Sequence, residues 1–333
     1  MFPDVFAPDL FTTTALTAAI NDIEYQPGLI RDLGLFSVDG VSTLTVIIER
    51  EKDLLNLIGT SERGTVGEVN KKPKRDALSF IIPHLQENGA VMADSVQGVR
   101  AFGTTDRLQT VEEERDKELA RMARNLDFTQ EYHRLGALQG KVLDSDGVTV
   151  LIDLFEAFEI EEPAAIDFDL DAASPEDGEV MQKCHQVLYS MEEALDGVPY
   201  TSVHALVDND FFTALTTHSE IRETYKYQQG IANREGRTNV PFEYGDIVWH
   251  RYRGKGPCAI PAGTARFFPV GVPDLFITRY GPADYVETVN TKGLPRYAKA
   301  EPMKMNKGIE LEAQANPLHL CTRPKVLLKA TKT

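Results

Sequence analysis

The sequence lacks the patterns that mark membrane proteins and secreted proteins. No run of about 18 apolar residues is present, so we expect no transmembrane helix. The N-terminus has neither a basic start nor a long apolar stretch, and we expect no secretory signal peptide. The chain has three cysteines, Cys184, Cys258 and Cys321. Their odd number and wide spacing favour a reducing compartment.

The sequence also lacks the loops that common enzymes use. The Gly-x-Ser-x-Gly turn of serine hydrolases is absent. Gly254-Lys-Gly-Pro257 is the nearest match to a phosphate-binding loop, but Pro257 has no N–H group to donate. We therefore predict a hairpin turn at residues 254–257.

Metal-binding patterns fail in the same way. Cys184 and His185 are adjacent, so on a helix they point in different directions and cannot easily chelate one ion. The segment Asp167–Asp171 resembles the start of a calcium loop, but Ala172 and Gly178 stand where that loop needs glycine and glutamate. The sequence therefore predicts no metal and no cofactor.

Composition indicates a soluble, acidic, globular chain. Its 333 residues are 42% hydrophobic, which suggests about two domains with ample material for a core. The formal net charge is −16. A protein that grips DNA needs a basic face, so this charge argues against a nucleic-acid-binding function, although solubility alone also explains it.

The most informative stretch is one long predicted helix over residues 106–139. It contains no proline, and five apolar residues recur at helical spacing: Leu108, Val111, Leu119, Met122 and Leu126. Such a helix would be roughly 50 Å long and typical of a strut or spine. Asp127-Phe128 interrupts the stripe and Arg115 occupies a seam position, which argues against a continuous coiled coil.

Shorter elements surround this helix and predict an α+β fold. Residues 41–51 and 77–82 read as two strand-like arms that flank a long loop. A short helix at 16–23 precedes them, and a hairpin at 141–153 follows the long helix. An acidic connector at 159–177 leads to helices near 176–197 and 210–218, where Asn209 or Asp210 is the expected cap. Strands follow near 203–208, 246–253, 265–270, 275–279, 308–315 and 325–330, with Pro317 between the last two. We expect the last two strands to return to the hairpin.

The loop between the two arms carries the one concentrated positive segment, formed by Lys71, Lys72, Lys74 and Arg75. A solvated loop is one interpretation. A nucleic-acid contact is another, although the segment lacks the interleaved aromatic residues that stack on bases. A third is docking on an acidic surface of an identical subunit, for which the long helix offers Glu112, Glu113, Glu114 and Asp116.

The order of these parts resembles the major capsid protein of tailed bacteriophages, with the Hong Kong 97-type fold. More narrowly, the chain is similar to the family of the lambda phage major head protein, gpE. The likeness covers roughly residues 30–330. It rests on Leu33-Gly-Leu-Phe36, on the helix from Arg115 into Leu138-Gln-Gly-Lys-Val142, and on Val148–Asp153. Tyr244-Gly-Asp-Ile-Val-Trp249 and the ending Asn316–Ala330 complete it.

This resemblance implies an organisation of the chain. Residues 1–40 would be an N-terminal arm and 41–90 the extended β-loop that lies over a neighbouring subunit. Residues 91–164 and 286–333 would form the peripheral domain with the spine helix at 106–139, and 165–285 the axial domain. Subunits would assemble into hexamers and pentamers of an icosahedral shell that encloses double-stranded DNA without binding it specifically.

The resemblance also implies partners and a location. Scaffolding, portal and decoration proteins would act with copies of the chain, which would be assembled in the host cytoplasm and reside in the virion, without a membrane, cofactor or enzymatic activity. Two alternatives stay open. One is a cytoplasmic α+β enzyme within residues 176–285, with a cleft at His204, Asp208 and His250. The other is a different virion protein such as a tail tube.

Overall fold

The computed structural model describes residues 13–23, 28–51, 75–96, 111–172, 177–236, 240–254 and 256–333. The helices within these ranges are α1 Thr13–Asp22, α2 Leu29–Asp32, α3 Ala93–Val96, α4 Val111–Gln139, α5 Leu154–Ala157, α6 Glu179–Leu195, α7 Asn209–Thr217 and α8 Arg222–Arg234. The strands of the first half are β1 Ser37–Gly40, β2 Thr45–Glu51, β3 Arg75–Ile81, β4 Leu85–Met92, β5 Lys141–Leu143, β6 Val150–Asp153 and β7 Ile166–Asp167. Those of the second half are β8 Ser202–Val207, β9 Phe242–Tyr244, β10 Ile247–Arg251, β11 Thr264–Val270, β12 Phe276–Tyr280, β13 Tyr297–Pro302, β14 Gly308–Ala315, β15 Pro317–Cys321 and β16 Leu328–Thr331.

The helix predicted over 106–139 is confirmed as α4, which has 29 residues from Val111 to Gln139; residues 106–110 lie outside the described ranges. Three residues of the predicted stripe, Leu119, Met122 and Leu126, are buried. The helix ends where Gly140 takes a positive φ of 87°, a conformation that glycine adopts without steric cost.

The first half of α4 lies on a three-stranded antiparallel sheet with the order β13-β14-β4. Alternation along β14 turns Ile309, Leu311 and Ala313 toward α1 and α4, where they join one apolar cluster with the helix stripe. The other face of this sheet carries Glu310, Glu312 and further polar side chains. One covered face and one polar face explain the clean alternation seen in the sequence.

The second unit is a six-stranded mixed sheet with the order β7-β16-β11-β8-β10-β9. Trp249 of β10 packs against Phe168 and against Phe211 of α7, and Phe267 of β11 packs against Phe168 and Trp249. The acidic connector is therefore part of this sheet, because it supplies β7 and buries Phe168 and Leu170.

The last strands do not return to the hairpin, and that expectation was wrong. The strand β14 pairs with β13 and β4, and β16 lies in the six-stranded sheet between β7 and β11. The β5–β6 hairpin pairs with itself and buries Val142 and Ile152 in the main apolar core, next to the end of α4. Packing on a helix gives a two-stranded hairpin the support that added strands would otherwise give.

Two further predictions need correction. Residues 254–257 do not form a hairpin turn, because β8 lies between β10 and β11 in the sheet. The cap of α7 is Asp208, whose carboxylate accepts hydrogen bonds from the N–H groups of Asp210 and Phe211. Pro317 lies between β14 and β16 as predicted, and it opens the additional strand β15, at a position where a strand tolerates proline.

The remaining strands link the two units. A small sheet with the order β1-β12-β15 joins the N-terminal part of the chain to the C-terminal part. The predicted arms at 41–51 and 77–82 are confirmed as β2 and β3, which form a separate antiparallel pair. Within the described ranges, no helix is both long and apolar enough to cross a membrane.

Candidate assembly surfaces

The acidic residues that the sequence analysis singled out lie on the first turns of α4. Glu112 is exposed to solvent, whereas Asp116 pairs with Arg115 at 2.7 Å. Lys117 lies 3.5 Å from Glu114, one turn back along the helix. Glu113 completes this surface and is half-buried. The helix thus presents carboxylates to solvent, several of them beside its own basic side chains.

The basic segment cannot be placed against these acids within one subunit. Lys71, Lys72 and Lys74 lie outside the described residues, and Arg75 opens β3. The predicted contact between the two groups therefore stays a prediction.

The strands that lead to this segment form a ribbon, defined here as β2 and β3. Its inner face carries the cross-strand pairs Val46–Phe80 and Ile48–Leu78, which pack on the main core. Its outer face carries Ile47, which is 64% exposed. A two-stranded sheet is marginally stable by itself, so a ribbon with apolar side chains on both faces is suited to contact another chain.

A groove lies at the base of the ribbon, between it and the segment 281–290. Its volume is about 630 Å³. Four of its apolar side chains are largely exposed: Leu44 is 69%, Ile81 75%, Val286 87% and Val289 64% exposed. Sequence analysis did not find this groove. Single apolar residues near turns do not predict a groove in the sequence, because only the fold brings residues 44, 81 and 286 together.

A second set of charged side chains on α4 is buried. Asp127 receives two hydrogen bonds of 2.7 Å from Arg296, which is fully buried. The same guanidinium donates to the carbonyl oxygens of Ile20 and Ile23 at 2.7 and 3.2 Å. Arg296 thereby joins the end of α1 to α4. The interruption of the helical stripe at Asp127 was the sequence signal of this contact.

One turn further along α4, Glu131 accepts a hydrogen bond of 3.0 Å from the N–H of Ile30. Burial raises the pKa of this carboxyl, and the Ile30 N–H and Arg134 oppose the rise. Asp127 and Glu131 together fix both ends of the segment that connects α1 to α2. These residues are structural and hold the N-terminal part of the chain on the spine helix.

Residues of the enzymatic alternative are only partly brought together. His204 Nδ1 and His250 Nε2 share a hydrogen bond of 3.0 Å, and His204 Nε2 lies 3.0 Å from Ser202 Oγ. Burial lowers the pKa of His250 to about 4, so this ring is neutral and cannot stabilise an imidazolium as a carboxylate would. Asp208 instead caps α7. The cavity that reaches His250 is lined by neither Ser202 nor His204.

Metal chemistry has no evident site in the described part of the chain. No group of three or more His, Cys, Asp or Glu side chains is placed there to hold an ion. The cysteines are all buried and free, and Cys184 lies in the core beside an exposed His185, as its sequence position predicts.

Comparison with known proteins decides between the remaining interpretations. The family model of the phage major capsid protein E matches residues 12–332, nearly the whole chain. The chain belongs to the phage major capsid protein E family. Its relatives include the major capsid protein of Salmonella phage Felix O1, which is 28% identical over 96% of this chain and 95% of that protein. The major capsid protein of Pseudomonas phage KPP10 is 27% identical over 96% of each chain.

Solved structures agree with this family on the fold. The capsid of Myoviridae phage XM1 matches with a TM-score of 0.55 and 10% identity, over 94% of this chain and 95% of that one. The mature capsid of bacteriophage PhiM1 matches with a TM-score of 0.52 and 15% identity, over 92% and 88%. The predicted Hong Kong 97-type α+β fold is confirmed.

Membership of the capsid protein E family fixes the coarse function. The chain is a phage major capsid protein, a component of the virion that forms shells from copies of itself. Proteins of this family are structural and not enzymes, so the enzymatic alternative is not supported. The surfaces that matter are therefore those that meet other copies.

Proposed function

We propose that this capsid protein forms hexamers and pentamers that close into an icosahedral shell around double-stranded DNA. Head-to-tail contacts that close on themselves generate such rings. The net charge of −16 supports a shell that encloses DNA without binding it specifically.

Each part of the chain would have a place in this shell. Residues 165–285 would be the axial domain, which meets its copies at the centre of a capsomer. Residues 91–164 and 286–333 would form the peripheral domain around α4, with residues 1–40 as the N-terminal arm. The separation of the six-stranded sheet from the sheet of β13, β14 and β4 supports this division. The strand β16 joins the six-stranded sheet although it belongs to the C-terminal part of the chain.

The observation that carries the proposal is the ribbon. It is an isolated two-stranded sheet whose inner face packs on its own subunit and whose outer face exposes Ile47. Residues 41–90 would be the extended loop that lies over a neighbouring subunit. Such a contact would cover apolar surface that one subunit leaves open to water.

The charged segment would guide the same contact. Lys71, Lys72, Lys74 and Arg75 of one subunit would meet the acidic turns of a neighbour's α4, formed by Glu112, Glu113, Glu114 and Asp116. Exposed ion pairs give little stability but set register and orientation between partners. The charges would therefore select the contact more than strengthen it.

Other head components would act with the shell. The resemblance to tailed-phage capsid proteins supports a separate scaffolding protein, a portal at one vertex and a decoration protein on the outer surface. Assembly would take place in the host cytoplasm, consistent with three free and buried cysteines.

The test is assembly of purified protein, followed by sizing and negative-stain microscopy, with co-expressed head proteins where needed. We expect rings or shells from the unaltered chain. Reversal of charge at Lys71, Lys72, Lys74 and Arg75 should weaken assembly and leave the subunit fold unchanged by circular dichroism.

A compensating variant sharpens this test. Glu112→Lys together with Glu113→Lys should restore part of the assembly lost by the loop reversal, because the attraction is rebuilt with opposite signs. A monomer under all conditions would refute the shell proposal. Unchanged assembly after loop reversal would refute only the contact between the loop and the helix.

A further inference from the structure

A small cavity lies where α2, β1 and β12 meet the second half of α4. Its volume is about 400 Å³, within the range of roughly 300–1,000 Å³ that suits a small ligand. Arg31 and Arg134 line it, and among the residues that the structure describes no Asp or Glu does so. Each of three larger cavities includes at least one acidic side chain. In a chain with a formal net charge of −16, this cavity is therefore suited to an anion.

The charge of Arg134 is poorly paired for a side chain that is only 6% exposed. A guanidinium carries five N–H donors, and burial of its charge is costly unless these donors are paired. Its Nη2 donates to Gln130 Oε1 over 3.3 Å. Its ion pair with Glu131 joins Nη1 and Oε2 over 3.5 Å, which is longer than the roughly 2.7–2.9 Å of a charge-assisted hydrogen bond. Within the described residues, these contacts leave N–H donors of Arg134 for an acceptor in the cavity.

The side chains around Arg134 are already engaged with other groups. Gln130 Oε1 also accepts a hydrogen bond of 2.8 Å from the hydroxyl of Tyr280. The Nε2 atom of Gln130 is buried and has no hydrogen-bond partner in the described part of the chain. Glu131 Oε1 accepts a hydrogen bond of 3.0 Å from the N–H of Ile30, and burial raises the pKa of this carboxyl. The protein's own acceptors beside Arg134 are therefore shared or distant.

The walls of the cavity are apolar and lead from Arg134 to the solvent. Phe36 and Pro295 are half-buried, and Val38 is 62% exposed. Arg31, which is exposed, adds a second positive charge at the outer end. An anion with an apolar body could place its charge at Arg134 and its body against these walls. A carboxylate is well suited to such a site, because it accepts two parallel hydrogen bonds from a guanidinium.

We propose that this cavity binds a small organic anion that carries a carboxylate on an apolar body, such as a medium-chain fatty acid. The carboxylate pairs with the guanidinium of Arg134, and the apolar body lies along Phe36, Val38 and Pro295. The bound molecule connects β1 to α4 and stabilises the folded chain by mass action. The site lies within one subunit, so its test does not depend on the proposed hexamers and pentamers or on the loop contact.

The direct test is isothermal titration calorimetry of the full-length protein with four probes. Octanoate has both the carboxylate and the apolar body, acetate has only the carboxylate, octanol lacks the charge, and octylamine carries the opposite charge. We expect octanoate to bind at least tenfold more tightly than each of the other three and to raise the midpoint of thermal denaturation. Equal affinity for octanoate and octanol or octylamine would overturn the proposal.

A pair of variants at the outer end locates the site. Val38→Asp places a negative charge beside the bound carboxylate and should weaken octanoate binding at least fivefold, whereas Val38→Lys should not weaken it. Both changes fall on an exposed side chain and should leave the fold unchanged by circular dichroism. The control is Val148→Asp, at a side chain 80% exposed on the hairpin, which should bind octanoate like the unaltered chain. Equal octanoate affinity in Val38→Asp and Val38→Lys would refute binding in this cavity.

Arg134→Gln tests the charge that holds the carboxylate. This variant should lose octanoate binding at least tenfold, and its weak affinity for octanol should not change. Undiminished octanoate binding by folded Arg134→Gln would refute the role of Arg134. Should the variant fail to fold, Arg31→Glu, at an exposed position of the same cavity, replaces it and should weaken octanoate binding severalfold. Unchanged binding by Arg31→Glu would then count against the site.

Discussion

The two halves of α4 use the same kinds of charged residue for opposite purposes. In the first half, Asp116 and Lys117 lie at the surface and pair with their neighbours on the helix. In the second half, Asp127 is buried and paired with the fully buried Arg296. The first half presents paired charges to solvent, and the second half holds a buried ion pair in the interior of the subunit.

This difference shows that charge along a helix does not by itself mark its exposed side. Apolar periodicity identifies Leu119, Met122 and Leu126 but becomes weak beyond them. The helix nevertheless becomes more buried there, because Asp127, Gln130 and Glu131 are hydrogen-bonded to Arg296, to Tyr280 of β12 and to Ile30 of α2. Buried polar groups are tolerated when they are paired, and removal of one partner is costly.

The largest effect is expected at Arg296. Arg296→Met leaves the carboxylate of Asp127 buried and unpaired and removes the donor to Ile20 and Ile23, so we expect a loss of about 3–5 kcal/mol in the free energy of unfolding. Urea denaturation of the soluble subunit measures it. Asp127→Leu combined with Arg296→Met should recover much of the loss, because no unpaired charge remains. A small effect of the single variant would mean that the two halves do not differ as described.

Gly136→Ala should also destabilise the second half, although alanine favours helices. An added Cβ would lie 2.7 Å from the carbonyl oxygen of Lys141 and 2.9 Å from the Cα of Val142. Backbone cannot easily move aside, and we expect a loss of about 1–3 kcal/mol in unfolding free energy. The control is Gly230→Ala in α8, where an added Cβ would have no atom within 4 Å apart from the adjoining backbone of its own helix. That change should stabilise by about 0.5–1 kcal/mol. A change in unfolding free energy of the same sign for both variants would contradict tight packing at Gly136.

The buried His133 should make stability depend on pH. Burial lowers its pKa to about 4, while Asp144 of the hairpin turn opposes the shift, and Arg134 adds to it. His319 of β15 is held neutral by burial as well and shares the neighbouring Arg134. Because the folded pKa is below the unfolded value of about 6.5, the contribution of His133 is complete above that pH and is lost as pH falls toward 4.

When the pH is lowered from about 7.5 to about 5.5, His133 should decrease the free energy of unfolding by about 1.4 kcal/mol. Denaturation curves at both pH values measure this loss, and His133→Gln should reduce it. Glu131, with its raised pKa, contributes in the opposite direction in both proteins and cancels from the comparison. His185→Gln, at an exposed position, is the matched control for replacement of a histidine by glutamine. An identical pH dependence in His133→Gln would refute this role.

The smallest effect is expected on the first half. Lys117→Ala removes an exposed ion pair with Glu114, and we expect a change below about 1 kcal/mol in the unfolding free energy of the subunit. A loss of unfolding free energy as large as that of Arg296→Met would contradict the difference between the exposed ion pairs of the first half of α4 and the buried ion pair of its second half.

Local patterns were readable from the sequence because they need only neighbouring residues. The helix at 111–139, the ribbon, the hairpin and most strands of the six-stranded sheet follow from period and turn residues. The helix α8 was missed, and the cap of α7 was misplaced by one residue or two. Short elements such as β15 were also missed, because tertiary pairing and not local preference fixes them.

The pairing of strands could not be read in this way. The alternation of apolar residues in β14 and β16 indicates that one face of each strand is covered, but it does not identify the element that covers it. The simplest expectation placed both strands beside the hairpin. In the structure, β14 lies between β13 and β4, and β16 lies in the other sheet. Contacts between residues far apart in the chain carry no local signal.

The sequence by itself determined the acidic character, the spine helix, the α+β class and, through the order of these elements, the capsid family. Only the tertiary structure decided that Asp127 would be neutralised by Arg296, 169 residues away, and that Leu44, Ile81 and Val286 would form one open groove. The physical reason is common to both. Burial is a property of the packed chain. Residues of the same type therefore become core residues, members of a buried ion pair or parts of a contact surface, according to what the fold places beside them.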